Sequence, residues 1–132
     1  IIIELTEDSA VPDATQLTIA LNRLRLAGHG LAIDDFGVGI ATLKLLADLP
    51  FTILKIDRSF TEAVNLTSQR GIICRAMIEL ARALQLECVA EGVETDAQRQ
   101  TLRALGCTTG QGYLWAAPLS TTAFLARVQA MA

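Results

Sequence analysis

The sequence predicts a parallel α/β fold, on three observations. Short apolar or β-branched runs alternate with longer stretches of helical spacing. The strand-like runs are almost uniformly apolar, as in a parallel sheet covered on both faces. The connections are short, with no linker or low-complexity segment, as expected of successive βαβ units. Two architectures satisfy the pattern: a doubly wound sheet, or part of a (β/α)8 barrel. A complete barrel takes about 250 residues. The chain has 132, so it would hold around half of one.

The elements follow in order. Residues 1–5, "IIIEL", read as a buried strand. Residues 13–28 read as a helix, with Asp13 as N-cap, Gly28 past its end, and Leu17, Ala20, Leu21 and Leu24 at helical spacing. "LAID" (31–34) is the second strand. "ATLKLLADLP" (41–50) is a short helix stopped before Pro50. "TILKID" (52–57) is the third strand. Residues 68–85 form a longer helix, predicted to bury Ile72, Ile73, Ala76, Met77, Leu80 and Leu84. "ECVAE" (87–91) is the fourth strand. Residues 95–106 form a helix, with Thr95 and Gln98 at capping-box spacing and Gly106 ending it. "GYLW" (112–115) reads as a last short strand, and 120–131 as a closing helix.

With 52% hydrophobic and 19% charged residues, the chain is globular rather than disordered. A net charge of −3 argues against a nucleic-acid polymer as partner, because such binders carry a basic face. No apolar run approaches the roughly 20 residues needed to span a bilayer, and no secretory signal opens the chain. Cys74, Cys88 and Cys107 lack metal-finger or redox spacing and read as reduced packing residues of a cytoplasmic protein. His29, in "AGHG", reads as a solvated loop histidine. The opening Ile1-Ile2-Ile3 has no polar lead-in and is expected to be a cut within a longer protein.

The acidic residues collect at strand ends. Glu4 ends "III" and Glu7 follows. Asp34 and Asp35 end "LAI". Lys55 and Asp57 close "ILKID". Glu91 ends "CVA", Glu94 follows, and Gln111 opens "QGYLW". In parallel α/β folds ligands bind at that edge. Clustered carboxylates raise one another's pKa unless cations neutralise them. Oxygen-only ligands favour Mg²⁺ or Mn²⁺ over zinc. As sequence neighbours, Asp34 and Asp35 are expected to diverge, one bridging two cations and the other serving one. Two such ions form a clamp for attack on a phosphodiester. Lys55 would hold the attacking water or neutralise developing charge. Helix capping is the competing reading for single acids, Asp57 above all. Arg58, Arg75, Arg82, Arg99 and Arg103 read as solvated helix faces.

"IELTE", "LAIDDFGVGIATL", "LPFTILKIDRSF", "LARALQLECVAEGVET" and "LGCTTGQGYLWAAPL" together resemble, in order, the C-terminal half of an EAL domain, the bacterial cyclic-di-GMP phosphodiesterase family. The resemblance covers residues 1–132 and implies the C-terminal part of a TIM-like (β/α)8 barrel of EAL type, incomplete in this chain, with open strand edges. It implies hydrolysis of cyclic-di-GMP to linear pGpG at a two-metal Mg²⁺ or Mn²⁺ site. Glu4, Asp34, Asp35 and Glu91 would be metal ligands, with Asp34 bridging, and Lys55 would orient the water. Glu7, Asp57, Glu94 and Gln111 match supporting or substrate-binding positions, Glu7 and Glu94 bracing the loop after the aspartates. The "EAL" glutamate and an asparagine ligand lie outside this sequence, so the fragment alone is expected to be inactive. The resemblance further implies an upstream sensory, receiver or GGDEF domain and a homodimer. One departure stands out. Where the family reads "DDFGTGYSSL", this chain has Val38, Ile40, Ala41 and Thr42 in place of the threonine, tyrosine and two serines. A degenerate domain that binds without turnover is the alternative that this loop motivates.

Overall fold

The computed structural model describes residues 1–6, 14–38 and 42–131. Five strands form one parallel sheet in sequence order: β1 (Ile2–Leu5), β2 (Gly30–Phe36), β3 (Ile53–Ile56), β4 (Glu87–Ala90) and β5 (Thr109–Gly110). Between and after them lie α1 (Ala14–Leu26), α2 (Thr42–Asp48), α3 (Arg58–Thr61), α4 (Gln69–Ala83), α5 (Asp96–Ala104) and α6 (Thr121–Met131). Every neighbouring pair is parallel. Consecutive strand order is the arrangement of a barrel wall, not of a doubly wound sheet, whose order reverses at a switch point. Among the described residues, β1 and β5 have no outer strand partner, which is the open edge expected of an incomplete barrel.

Period-two alternation divides the strand residues between two faces. Leu31, Ile33, Leu54 and Ile56 are fully buried in the layer shared with the helices. The opposite face carries Glu4, Ala32, Lys55, Val89 and Gln111 around an open concavity. The helix ends follow local chemistry. Gly28 and Gly106, at φ +86° and +99°, take the left-handed position after α1 and α5. In both turns the next residue's N–H reaches back to the helix, His29 to Leu24 and Cys107 to Leu102. Thr95 and Gln98 form the expected reciprocal capping box on α5. Asp13 lies outside the described residues.

Three expectations need correction. Helix α4 buries Gly71, Cys74, Met77, Ile78 and Ala81, whereas Ile72, Ile73 and Leu84 are 56%, 42% and 48% exposed. Gly71 lies against the carbonyls of Ala63 and Leu66, and the inward face runs along Gly71, Cys74, Met77, Ile78 and Ala81. "GYLW" is a turn, closed by the Leu114 N–H donating to the Val93 carbonyl and the Trp115 N–H to Gly112; the fifth strand is instead Thr109–Gly110. Arg75 is not a solvated face residue, because its Nη1 donates to the carbonyls of Val64 and Leu66 at 2.9 and 3.2 Å and ties down the segment before α4. The three cysteines are buried and free, and burial pushes the Cys74 thiol up to about 11, as suits packing residues. His29 is half-buried, in the turn that closes α1. Among the described residues no helix is long and apolar enough to cross a membrane.

Candidate functional site

Lys55 is the centre of the site. It lies on β3 between the buried Leu54 and Ile56, and alternation turns it onto the concave face. Its Nζ lies 2.9 Å from Glu4 Oε1, 2.9 Å from Asp34 Oδ1 and 2.8 Å from Glu91 Oε1. These carboxylates arrive from β1, β2 and the residue just past β4. The Lys55 side chain is 8% exposed, against 47%, 19% and 16% for Glu4, Asp34 and Glu91. Burial pulls the lysine pKa down, but hydrogen bonds donated to Glu91, Asp34 and Glu4 outweigh it, and the net direction is upward. The ammonium is charged throughout the working pH range.

Glu91 moves the other way from a simple salt-bridge partner. Burial raises its pKa, the Lys55 bond and charge pull it back, and the charges of Asp34 and Asp35 push it up again, leaving it raised. Burial, more than the neighbouring acids, is what raises it. Gln111 adds a neutral donor, with Nε2 2.7 Å from the same Glu91 Oε1 that Lys55 holds.

The two adjacent aspartates do not diverge as expected. On an ideal strand they would point to opposite faces. Here Ile33 pairs with Leu54 but Phe36 with Ile56, so β2 carries one extra residue at Asp34-Asp35, a β-bulge. Asp35 sits at φ +52° in the left-handed region, a conformation that aspartate tolerates better than most residues. The bulge re-aims the second aspartate. Asp34, Asp35 and Glu91 each offer a ligand oxygen within 4.8 Å of the others'. The donor set is all carboxylate oxygen, which fits a hard divalent cation. One oxygen of Glu91 and one of Asp34 are already held by internal donors, Lys55 and the Asp35 N–H among them.

Of the other expected residues, Glu4 joins through Lys55. Asp57 lies outside the cluster: its carboxylate accepts the Ser59 N–H at 2.9 Å and caps α3, the competing reading weighed for it. Glu94 is 2.8 Å from Arg58 Nη2, and Arg58 also pairs with Glu62. The Arg58 stem packs over Gly92, where an added Cβ would meet Arg58 Cγ at 2.3 Å. Arg58 is thus more than a solvated charge. It lies against the loop that carries Glu91, and only the left-handed Gly92 opposite hinted at that packing. Arg58, Glu94, Gln111, Tyr113 and Pro118 line a cleft of about 350 Å³ at this end of the sheet. Val38, the first departure in the loop, is 63% exposed. Glu7, Ile40 and Ala41 lie outside the described residues, and Thr42 begins α2.

Carboxylates gathered around a buried lysine at the C-terminal rim of a barrel-type parallel sheet mark a barrel protein with a candidate cation site. The particular family follows from comparison: the family model for the EAL domain matches residues 1–118, and the chain belongs to that family. It is 42% identical over 128 residues to the bifunctional diguanylate cyclase/cyclic di-GMP phosphodiesterase MucR of Pseudomonas aeruginosa, covering 97% of this chain and 19% of that protein. The structure resembles the EAL domain of Mycobacterium smegmatis DcpA, with TM-score 0.89 and 39% identity over 97% of this chain and 57% of that one. It also resembles a manganese and cyclic-di-GMP complex of Klebsiella pneumoniae BlrP1, with TM-score 0.74 and 33% identity over 86% of this chain and 29% of the other. The chain therefore spans less than two thirds of each.

Proposed function

We propose that this chain supplies the second-metal and water-positioning part of a cyclic-di-GMP phosphodiesterase site that releases linear pGpG. The observation that carries the reading is Lys55, held at 2.8–2.9 Å by carboxylates from separate strand ends, beside the converging trio Asp34, Asp35 and Glu91. Asp34, Asp35 and Glu91 would hold Mg²⁺ or Mn²⁺, with Glu4 and Asp34 facing a second ion. When bound, such ions neutralise developing charge on a phosphodiester and lower the pKa of water. Gln111 fixes the Glu91 carboxylate. Lys55 places its positive charge where a water would attack phosphorus. The cleft lined by Arg58, Glu94 and Tyr113 would receive the rest of the dinucleotide.

Residues 1–132 form the C-terminal part of the domain in this reading, and turnover requires the remainder. An upstream sensory, receiver or GGDEF domain and a cytoplasmic homodimer complete the proposal. The test is an assay of the whole domain with Mg²⁺ or Mn²⁺, following pGpG. Asp34→Asn should reduce the rate by several orders of magnitude, and absence of pGpG from the unaltered domain refutes the reading. The altered loop, with Val38 exposed, favours a second reading: binding without turnover. Calorimetric binding of cyclic-di-GMP without product would select it.

A further inference from the structure

We infer that Lys55 works in two alternating positions: as internal counter-ion of the cation-free site, and as water-holder only after a divalent cation has displaced it from a carboxylate. The inference rests on the proposed cation site and concerns how that site is loaded. A lysine ammonium has three N–H donors. Here Glu4, Asp34 and Glu91 each accept at 2.8–2.9 Å, which uses all of them. With those bonds made, Lys55 has no donor for a water. Two of its acceptors, Asp34 and Glu91, also belong to the trio suited to a cation. The lysine and a cation would therefore draw on the same two carboxylates, Asp34 and Glu91.

The charges point the same way. Glu4, Asp34 and Glu91 already outnumber the one positive charge of Lys55 that they share, so a divalent ion is still attracted while the lysine is in place. As the ion takes Asp34 and Glu91, repulsion between the two cations drives Nζ off at least one carboxylate. That motion frees an N–H. Lys55 would thus become competent to hold water only when the site is loaded, which guards against a half-assembled site.

The test uses the whole domain and Mn²⁺ alone, with free Mn²⁺ followed by electron paramagnetic resonance. Lys55→Met should bind Mn²⁺ at least tenfold more tightly than the unaltered protein, because the competitor is gone. Equal or weaker binding by a folded variant overturns the inference. Asp35→Asn separates the two levels: if it leaves Mn²⁺ affinity unchanged, the cation site itself is wrong. Should Lys55→Met fail to fold, ¹⁵N-lysine spectra of the unaltered protein decide. A Lys55 ammonium signal protected without metal should move and exchange faster on adding Mg²⁺. A signal unchanged at saturating Mg²⁺ overturns the inference.

Discussion

Asp35→Asn isolates the tension built into the site. Asparagine keeps the size of the side chain and tolerates the left-handed φ of +52° found at this position, so the bulge should survive while the negative charge is lost. Asp35 has ligand oxygens of Asp34 and Glu91 within 4.8 Å. At water-like dielectric each such pair repels by about 0.9 kcal/mol. Asp35 is solvent-exposed, and salt screens the interaction further. The Lys55 charge beside the same two carboxylates offsets part of this repulsion, so relief of at most about 1 kcal/mol is expected, or a melting temperature up to about 4 °C higher without metal. With Mn²⁺ the order reverses. An unaltered site at a hundredfold excess over Kd gains about 2.7 kcal/mol, and the variant should gain little. Thermal melts of both proteins with EDTA and with Mn²⁺ measure this. A variant that is less stable in EDTA, or one stabilised by Mn²⁺ as much as the parent, refutes the account of the bulge as a charge-for-function compromise.

Gly71→Ala should lower stability by about 2 kcal/mol although helix propensity alone favours alanine, because the new Cβ would lie 2.2 Å from the Leu66 carbonyl oxygen; an unchanged urea midpoint would contradict this. Gln111→Leu removes the 2.7 Å bond to Glu91 and should weaken Mn²⁺ binding about tenfold, read by calorimetry, with the fold intact by circular dichroism. For Glu91, a folded pKa above the unfolded one means that protonation stabilises the fold at low pH, and that this contribution is lost as pH rises through the folded value. Mn²⁺ affinity should run the opposite way, weakening on acidification from a pH above the ordinary glutamate value. A pH titration whose midpoint matches free glutamate would count against the raised value.

Strand–helix alternation and the acids at strand ends were legible because both follow from local chemistry. The strands are apolar runs, and the rim residues are the first polar positions after them. Glycine at the close of α1 and α5 was legible for the same reason. Helix α4 ends with the same turn but places Gln85 at φ +57°, where no residue type announces it. The convergence of Asp34 with Asp35 was not legible, since a bulge is a disagreement between two strands and neither strand contains it alone. Arg75 was misread because its partners, the carbonyls before α4, are tertiary, whereas Arg58 is the exposed helix residue expected and adds a pairing to Glu94 past β4. The exposed face of α4 was misassigned because its inward face is set by a tertiary contact, Gly71 against the carbonyls of Ala63 and Leu66.

The strand order β1-β2-β3-β4-β5 has a developmental consequence. Each strand's partner is the next one to leave the ribosome, so the wall can be laid down one unit at a time, with short loops to close at every step. The chemistry is divided along the same seams. Glu4, Asp34, Lys55, Glu91 and Gln111 each arrive on a different unit, and no unit carries a finished site. A change confined to one unit, as at the exposed Val38 after β2, would leave the neighbouring units free to assemble the same rim.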